Sequence, residues 1–105
     1  MIYYIYIIRC EDDSLYTGIT TDIPRRMKQH ENKKGAKYTR SHGFKNIEAV
    51  WTAENRSLAS SLEYKIKKLT RKQKILLISD NNLFSEFIKT EKIYPRMNIS
   101  SFSCI

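Results

Sequence analysis

Tyr4, Tyr6, Tyr16, Arg26 and His30 fall in the first third of this 105-residue chain. Phenol and imidazole side chains can move protons, provided their surroundings bring their pKa values to the right place. A guanidinium presents a planar fork that matches the oxygens of a phosphate or carboxylate. Strand side chains alternate, so Tyr4 and Tyr6 share one face of a first strand. Tyr16 lies across from them in a hairpin. Arg26 and His30 are four apart and stack on one helix face. Two phenols, a guanidinium and an imidazole can therefore meet at one spot. Gly18 leaves backbone open beside Tyr16, which suits close approach by a ligand or another segment. On residue types alone, the plainer reading is the stronger one: amphipathic strand tyrosines and a solvated Arg/His pair.

The elements that would position these groups follow from local sequence. Ile2 to Ile8 and Leu15 to Thr20 are apolar, tyrosine-rich runs separated by Glu11-Asp12-Asp13-Ser14, the pattern of a hairpin. Asp22 offers an N-cap and Pro24 sits in the first turn of a basic helix over Arg25 to Glu31. Gly35 is its expected C-terminal breaker. Tyr38-Thr39-Arg40 starts a short helical turn that Ser41-His42-Gly43 interrupts. Asn46 to Ala53 reads as a third strand, with Trp51 packed in the core. Asn55 or Ser57 caps a helix whose buried stripe is Leu58, Leu62, Ile66 and Leu69. Glu63 lies about 100° round from Leu62, at the edge of that stripe. There it is an ion-pair partner or a functional oxygen donor, and composition favours the ion pair. Thr70 caps a short helix over Arg71 to Ile78. The expected fold is α/β, a three-stranded antiparallel sheet flanked by helices in the order β-β-α-β-α-α.

The chain has the length of one domain. Lys and Arg number 19 against 11 acidic residues, a net charge of +8. Residues 1–78 hold 16 basic and 8 acidic side chains, whereas residues 79–105 hold 3 of each. The excess thus sits on the first part, pointing to a polyanionic partner, nucleic acid first. Residues 79–105 read as an extension: an amphipathic helix over Asn82 to Lys92, then an irregular tail. Cys10 and Cys104 make no metal-spacing pattern. A reduced, intracellular chain, cytoplasmic or nuclear and not secreted, is the expectation. No stretch is long enough to span a bilayer.

Tyr4-Ile5-Tyr6, ten residues before Tyr16-Thr17-Gly18, resembles the GIY…YIG pair of the GIY-YIG endonucleases. Arg26 matches that family's arginine, and His30 stands where many members carry His or Tyr. Gly35-Ala36-Lys37-Tyr38-Thr39 and Glu63-Tyr64-Lys65-Ile66-Lys67-Lys68-Leu69-Thr70 look like the small stand-alone members. The resemblance runs from Ile2 to Ile78, so residues 1–78 are expected to form the nuclease-like domain. Tyr4 replaces the first glycine of GIY, and Thr17 replaces the middle isoleucine of YIG.

This resemblance implies metal-dependent phosphodiester hydrolysis on a nucleic acid, with DNA the leading substrate. It implies Tyr6 or Tyr16 as the base, with the phenol's pKa lowered by a metal and by Arg26. Arg26 would stabilise charge on the phosphate. Glu63 would hold a single Mg²⁺ or Mn²⁺, and His30 and Tyr38 would orient water or phosphate. Arg25, Lys33, Lys34, Lys37, Lys67, Lys68 and Arg71 are candidate phosphate contacts. No separate recognition domain is visible, so little sequence specificity is expected. Two other functions compete with this one. In the first, a basic module binds nucleic acid without catalysis. In the second, the extension docks a protein partner. Tyr6, Tyr16, Arg26 and Glu63 are all present, which favours the nuclease.

Overall fold

The hairpin forms where the alternating, β-branched run requires it. In the computed structural model, which describes residues 1–79 and the pair Ile93–Tyr94, strand β1 is Tyr3–Cys10 and β2 is Leu15–Thr20. Tyr6 pairs with Gly18 and Ile8 with Tyr16. At the tip Asp13 takes a left-handed φ of 69°, and Asp12 accepts a hydrogen bond from the Ser14 amide at 3.0 Å. Aspartate suits both positions because it tolerates that conformation and closes Asx-turns.

Helix α1 spans Ile23–Glu31, with Asp22 accepting from the Arg25 amide at 3.2 Å as its N-cap. Its C-cap is Asn32, and Lys33 takes the left-handed φ of 59°. Gly35 therefore is not the breaker expected from sequence. Helix α2, Lys37–His42, runs through Ser41 and His42 and stops only at Gly43, whose φ is 77°. A Cβ at Gly43 would also meet the Glu11 side chain at 2.8 Å. Strand β3, Phe44–Ala53, begins two residues earlier than its apolar run suggests. Helix α3 is Arg56–Lys67, capped by the Asn55 side chain. Helix α4 is Arg71–Ser79. Thr70 and Gln73 close a reciprocal box before it: the Thr70 amide donates to Gln73 at 2.9 Å and the Gln73 amide to Thr70 at 3.2 Å.

The sheet order is β2-β1-β3, all antiparallel, and Ile93–Tyr94 adds a two-residue strand β4 beside Thr52 and Ala53. The helix expected over Asn82 to Lys92 lies outside the described residues.

Alternation gives the sheet two different faces. Ile5, Ile7, Ala49, Trp51 and Ala53 point to α3 and α4, where Ala59, Leu62, Ile66 and Leu77 close the larger core. Trp51 is wholly buried there, as packing requires. Tyr6, Ile8 and Val50 point the other way, onto Ile23 and Met27 of α1. Tyr4, Tyr16 and Phe44 flank this second cluster. All the aromatic and basic groups singled out by spacing lie on this face or at its rim.

Leu62 is fully buried, whereas Tyr64 is 61% exposed. Leu62→Ala should cost about 2–5 kcal/mol in urea unfolding. Tyr64→Ala should stay within about 0.5 kcal/mol of the parent.

Candidate active site

The site is built on one buried chain of hydrogen bonds. Tyr6 projects from the middle of β1 towards α1, and its hydroxyl lies 2.9 Å from His30 Nε2. His30 Nδ1 lies 2.7 Å from Thr39 Oγ1 on α2. Thr39 in turn donates to the Ala36 carbonyl at 2.9 Å. These contacts fix the protons. Thr39 spends its only hydrogen on Ala36, so its oxygen must accept from His30 Nδ1–H. A neutral imidazole then has a bare Nε2, which accepts from the Tyr6 hydroxyl. Tyr6, His30 and Thr39 are each at most 1% exposed.

Two glycines make room for this chain. A Cβ at Gly18 would lie 2.4 Å from the Tyr6 hydroxyl, so the phenol occupies the space across from it. Gly18 is buried, not open as sequence suggested. Of the two occupants considered, another segment fills the gap. A Cβ at Gly35 would lie 2.4 Å from His30 Nδ1. Gly35 thus seats the imidazole instead of ending a helix.

Burial sets the titration of both groups. It raises the Tyr6 phenol to about 12, against the lowering effects of the Arg26 hydrogen bond and charge, while nearby Tyr16 and Glu63 add to the rise. It lowers His30 to about 4, and the Arg26 charge lowers it further. His30 is therefore neutral, in agreement with the proton assignment.

Arg26, half-buried one turn before His30, directs Nε–H to the Tyr6 oxygen at 3.4 Å and NH1 to Gln29 Oε1 at 2.8 Å. Gln29 thus orients the guanidinium. Tyr16 is also half-buried, with its ring 6.4 Å from that of Tyr6 and 5.8 Å from that of His30. Tyr38 stacks on Tyr16 at 5.6 Å and on His42 at 4.0 Å. Asp12 pairs with His42, and its carboxyl is held well below the usual range by Ser14 and His42.

Glu63 reaches this face from α3. Its carboxylate, 23% exposed, lies 3.5 Å from Lys67 Nζ. Lys67 in turn stands 5.8 Å from the centre of the Tyr16 ring. The ion-pair reading therefore describes a real contact, but one between partly exposed groups, worth little. Among the described residues no three His, Cys, Asp or Glu side chains come together. That excludes a closed structural zinc site there. A lone, accessible carboxylate fits Mg²⁺, which keeps most of its waters.

The cations divide into groups. Lys33, Lys34 and Lys37 are exposed around the α1–α2 connection, and Arg25 is exposed on α1. Lys67 is held at the site, Lys68 covers the Tyr64 ring at 4.4 Å, and Arg71 donates to the Asp13 carbonyl at 2.6 Å. Thr39, Gln29 and the seat at Gly35 carry no signal in composition or periodicity. The Gly35-to-Thr39 block was the one sequence cue to two of them.

Residues 2–75 match the family description "GIY-YIG catalytic domain". The chain is 46% identical over 89 residues to the UPF0213 protein FN1575 of Fusobacterium nucleatum, covering 85% of this chain and 89% of that one. It is 47% identical over 88 residues to the UPF0213 protein CPE1444 of Clostridium perfringens, covering 84% and 95%. The solution NMR structure of the UPF0213 protein BH0048 from Bacillus halodurans is 46% identical, with a TM-score of 0.49 over 75% of this chain and 84% of that one.

A neutral buried histidine makes stability depend on pH with a definite sign. The unfolded chain protonates His30 near 6.5, the folded chain only near 4. Acidification through that window therefore favours unfolding, by up to roughly 3 kcal/mol. Urea midpoints taken from pH 7 to pH 5 should fall, and His30→Gln should flatten that limb. An NMR titration should find His30 still neutral at pH 5.

Proposed function

The chain belongs to the GIY-YIG family, a family of nucleases, and from that premise we propose that it is a metal-dependent endonuclease acting on DNA with little sequence preference. The carrying observation is the convergence of Arg26, Tyr16, Glu63 and the Tyr6–His30 pair from α1, β2, α3 and β1 at one rim of the sheet. A non-catalytic binding module would need the basic surface but not the buried hydrogen-bond chain that holds Arg26.

The residues divide by accessibility. Tyr6 is wholly buried, and its proton is directed to His30. It is a positioning residue: its oxygen accepts from Arg26 and fixes where the guanidinium points. Arg26 offers a preorganised cation to the phosphate oxygens, where charge grows in the transition state. Tyr16 is the accessible phenol and the proposed base that takes the proton of the attacking water. Lys67 Nζ stands 5.8 Å from the centre of its ring. Tyr38 backs the Tyr16 ring and keeps it in place. Glu63 would hold Mg²⁺ or Mn²⁺ with Lys67 displaced from it. Such a cation, when bound, would neutralise charge on the leaving oxygen.

Lys33, Lys34, Lys37, Lys67, Lys68, Arg25 and Arg71 would supply contacts to the phosphate backbone, whose regular charge carries no sequence information.

Labelled DNA and RNA, single- and double-stranded, incubated with Mg²⁺, Mn²⁺ or EDTA, test this reading. Cleavage is expected with either metal and lost in EDTA. Glu63→Ala should abolish it while binding survives, and normal Mg²⁺-dependent cleavage by that variant would remove Glu63 from the site. Arg26→Ala should slow the reaction by on the order of 10²–10³, with Arg26→Lys recovering part of the loss. Tyr16→Phe should lose nearly all activity and the rise of rate with pH. Tyr6→Phe should lose less and keep that rise. Wild-type rates in both phenylalanine variants would reduce the phenols to packing residues.

Binding should weaken with salt along a log–log line whose slope is several units. Salt-independent affinity for one short sequence would contradict the electrostatic reading.

A further inference from the structure

Beside Arg26 the surface opens into a groove of about 320 Å³, floored by Tyr3 and Ile19 and rimmed by Arg25, Arg26 and Arg56. It lies at the end of the sheet where β2 runs into α1 and β3 runs into α3. Gln29, which holds the Arg26 guanidinium at 2.8 Å, also lines it. The groove and the Tyr6–His30 cluster therefore meet at Arg26.

Charge in the groove is unbalanced. Its one carboxylate is Asp22, which is committed to capping α1. Among the described residues neither Arg25 nor Arg56 makes an ion pair. Arginine suits this role better than lysine, because its fork pairs with two phosphate oxygens at once. The apolar floor and the hydroxyls of Thr20 and Thr21 complete a surface that fits a sugar-phosphate unit.

We propose that this groove is a second phosphate subsite, which grips the phosphate neighbouring the scissile one, with Arg56 as its principal ligand. The inference rests on the nuclease reading and extends it: the substrate must continue past the cut on the side of the groove. Arg56, in the first turn of α3 and seven residues before Glu63, lies outside every motif that pointed to the site.

The test uses the full chain carrying Glu63→Ala, so that binding is read without turnover. Affinity for a labelled oligonucleotide is measured against salt, with single neutral methylphosphonates replacing the phosphates one at a time. The parent should be weakened most by two adjacent positions, one facing Arg26 and one facing the groove. Arg56→Ala should lose several-fold in affinity and about one unit of salt slope. It should also become insensitive to the methylphosphonate at the groove position alone. Arg56→Lys should keep the slope and bind with intermediate affinity. Arg56 is exposed, so circular dichroism should find both variants folded. Parental affinity, slope and methylphosphonate pattern in Arg56→Ala would overturn the subsite while leaving the nuclease reading intact. A wild-type chain that neither binds nor cleaves any nucleic acid would overturn both.

Discussion

The placement of one phenol governs the rest of the site. Tyr6 could not point into the space between β1 and α1 unless Gly18 left room across the hairpin. Once there, its hydroxyl is out of water and must find a partner, because an unpaired buried hydroxyl costs about 1–3 kcal/mol. His30 Nε2 supplies that partner, and the requirement passes along to Nδ1, Thr39 and the Ala36 carbonyl. Three segments, β1, α1 and the start of α2, are tied by polar atoms that have no acceptable alternative. Arg26 inherits its direction from this arrangement through the Tyr6 oxygen and Gln29.

This division of labour explains two kinds of tyrosine in one short hairpin. A buried phenol raised to about 12 is a poor exchanger of protons but a firm support. Tyr16 is instead half-buried at the rim, with Lys67 Nζ 5.8 Å from its ring centre. The pair resembles a first layer facing solvent and a second layer behind it. The buried layer restrains the exposed one through the contact of Arg26 with the Tyr6 oxygen. The sandwich of α1 and α3 on opposite sheet faces does the same at larger scale. It lets Lys67, paired with Glu63, reach the Tyr16 ring round the edge strand β2 while Leu62 and Ile66, on the same helix, stay in the core.

Much of this was legible in the chain. The hairpin, the Asp22 and Thr70 caps, the α3 stripe and the half-buried place of Glu63 follow from period and capping chemistry, which are local rules. The meeting of Tyr6, Tyr16, Arg26 and His30 was also foreseeable from spacing. Failures came where a long-range contact overrode a local preference. Gly35 looked like a helix stop because glycine favours left-handed backbone, yet Lys33 takes that conformation and Gly35 yields its space to an imidazole. Gly18 looked open because it has no side chain, yet it is filled from the neighbouring strand. Thr39 and Gln29 were passed over because a threonine and a glutamine have no period or charge to mark them. Arg56 was one basic residue among many until the fold brought it to Arg26.

The residues of the candidate site enter the chain in a fixed order along its length: Tyr6, Tyr16, Arg26, His30, and only then, after β3, Glu63. A polypeptide emerging from the ribosome acquires both phenols, the guanidinium and the imidazole well before the helix with the carboxylate. Strand β3, which pairs with β1, also precedes α3 in the chain. On the nuclease reading, a nascent or truncated chain lacking α3 would carry basic residues able to touch nucleic acid without the group that arms hydrolysis. On that reading, the late position of Glu63 would make hydrolytic competence a property of the finished domain.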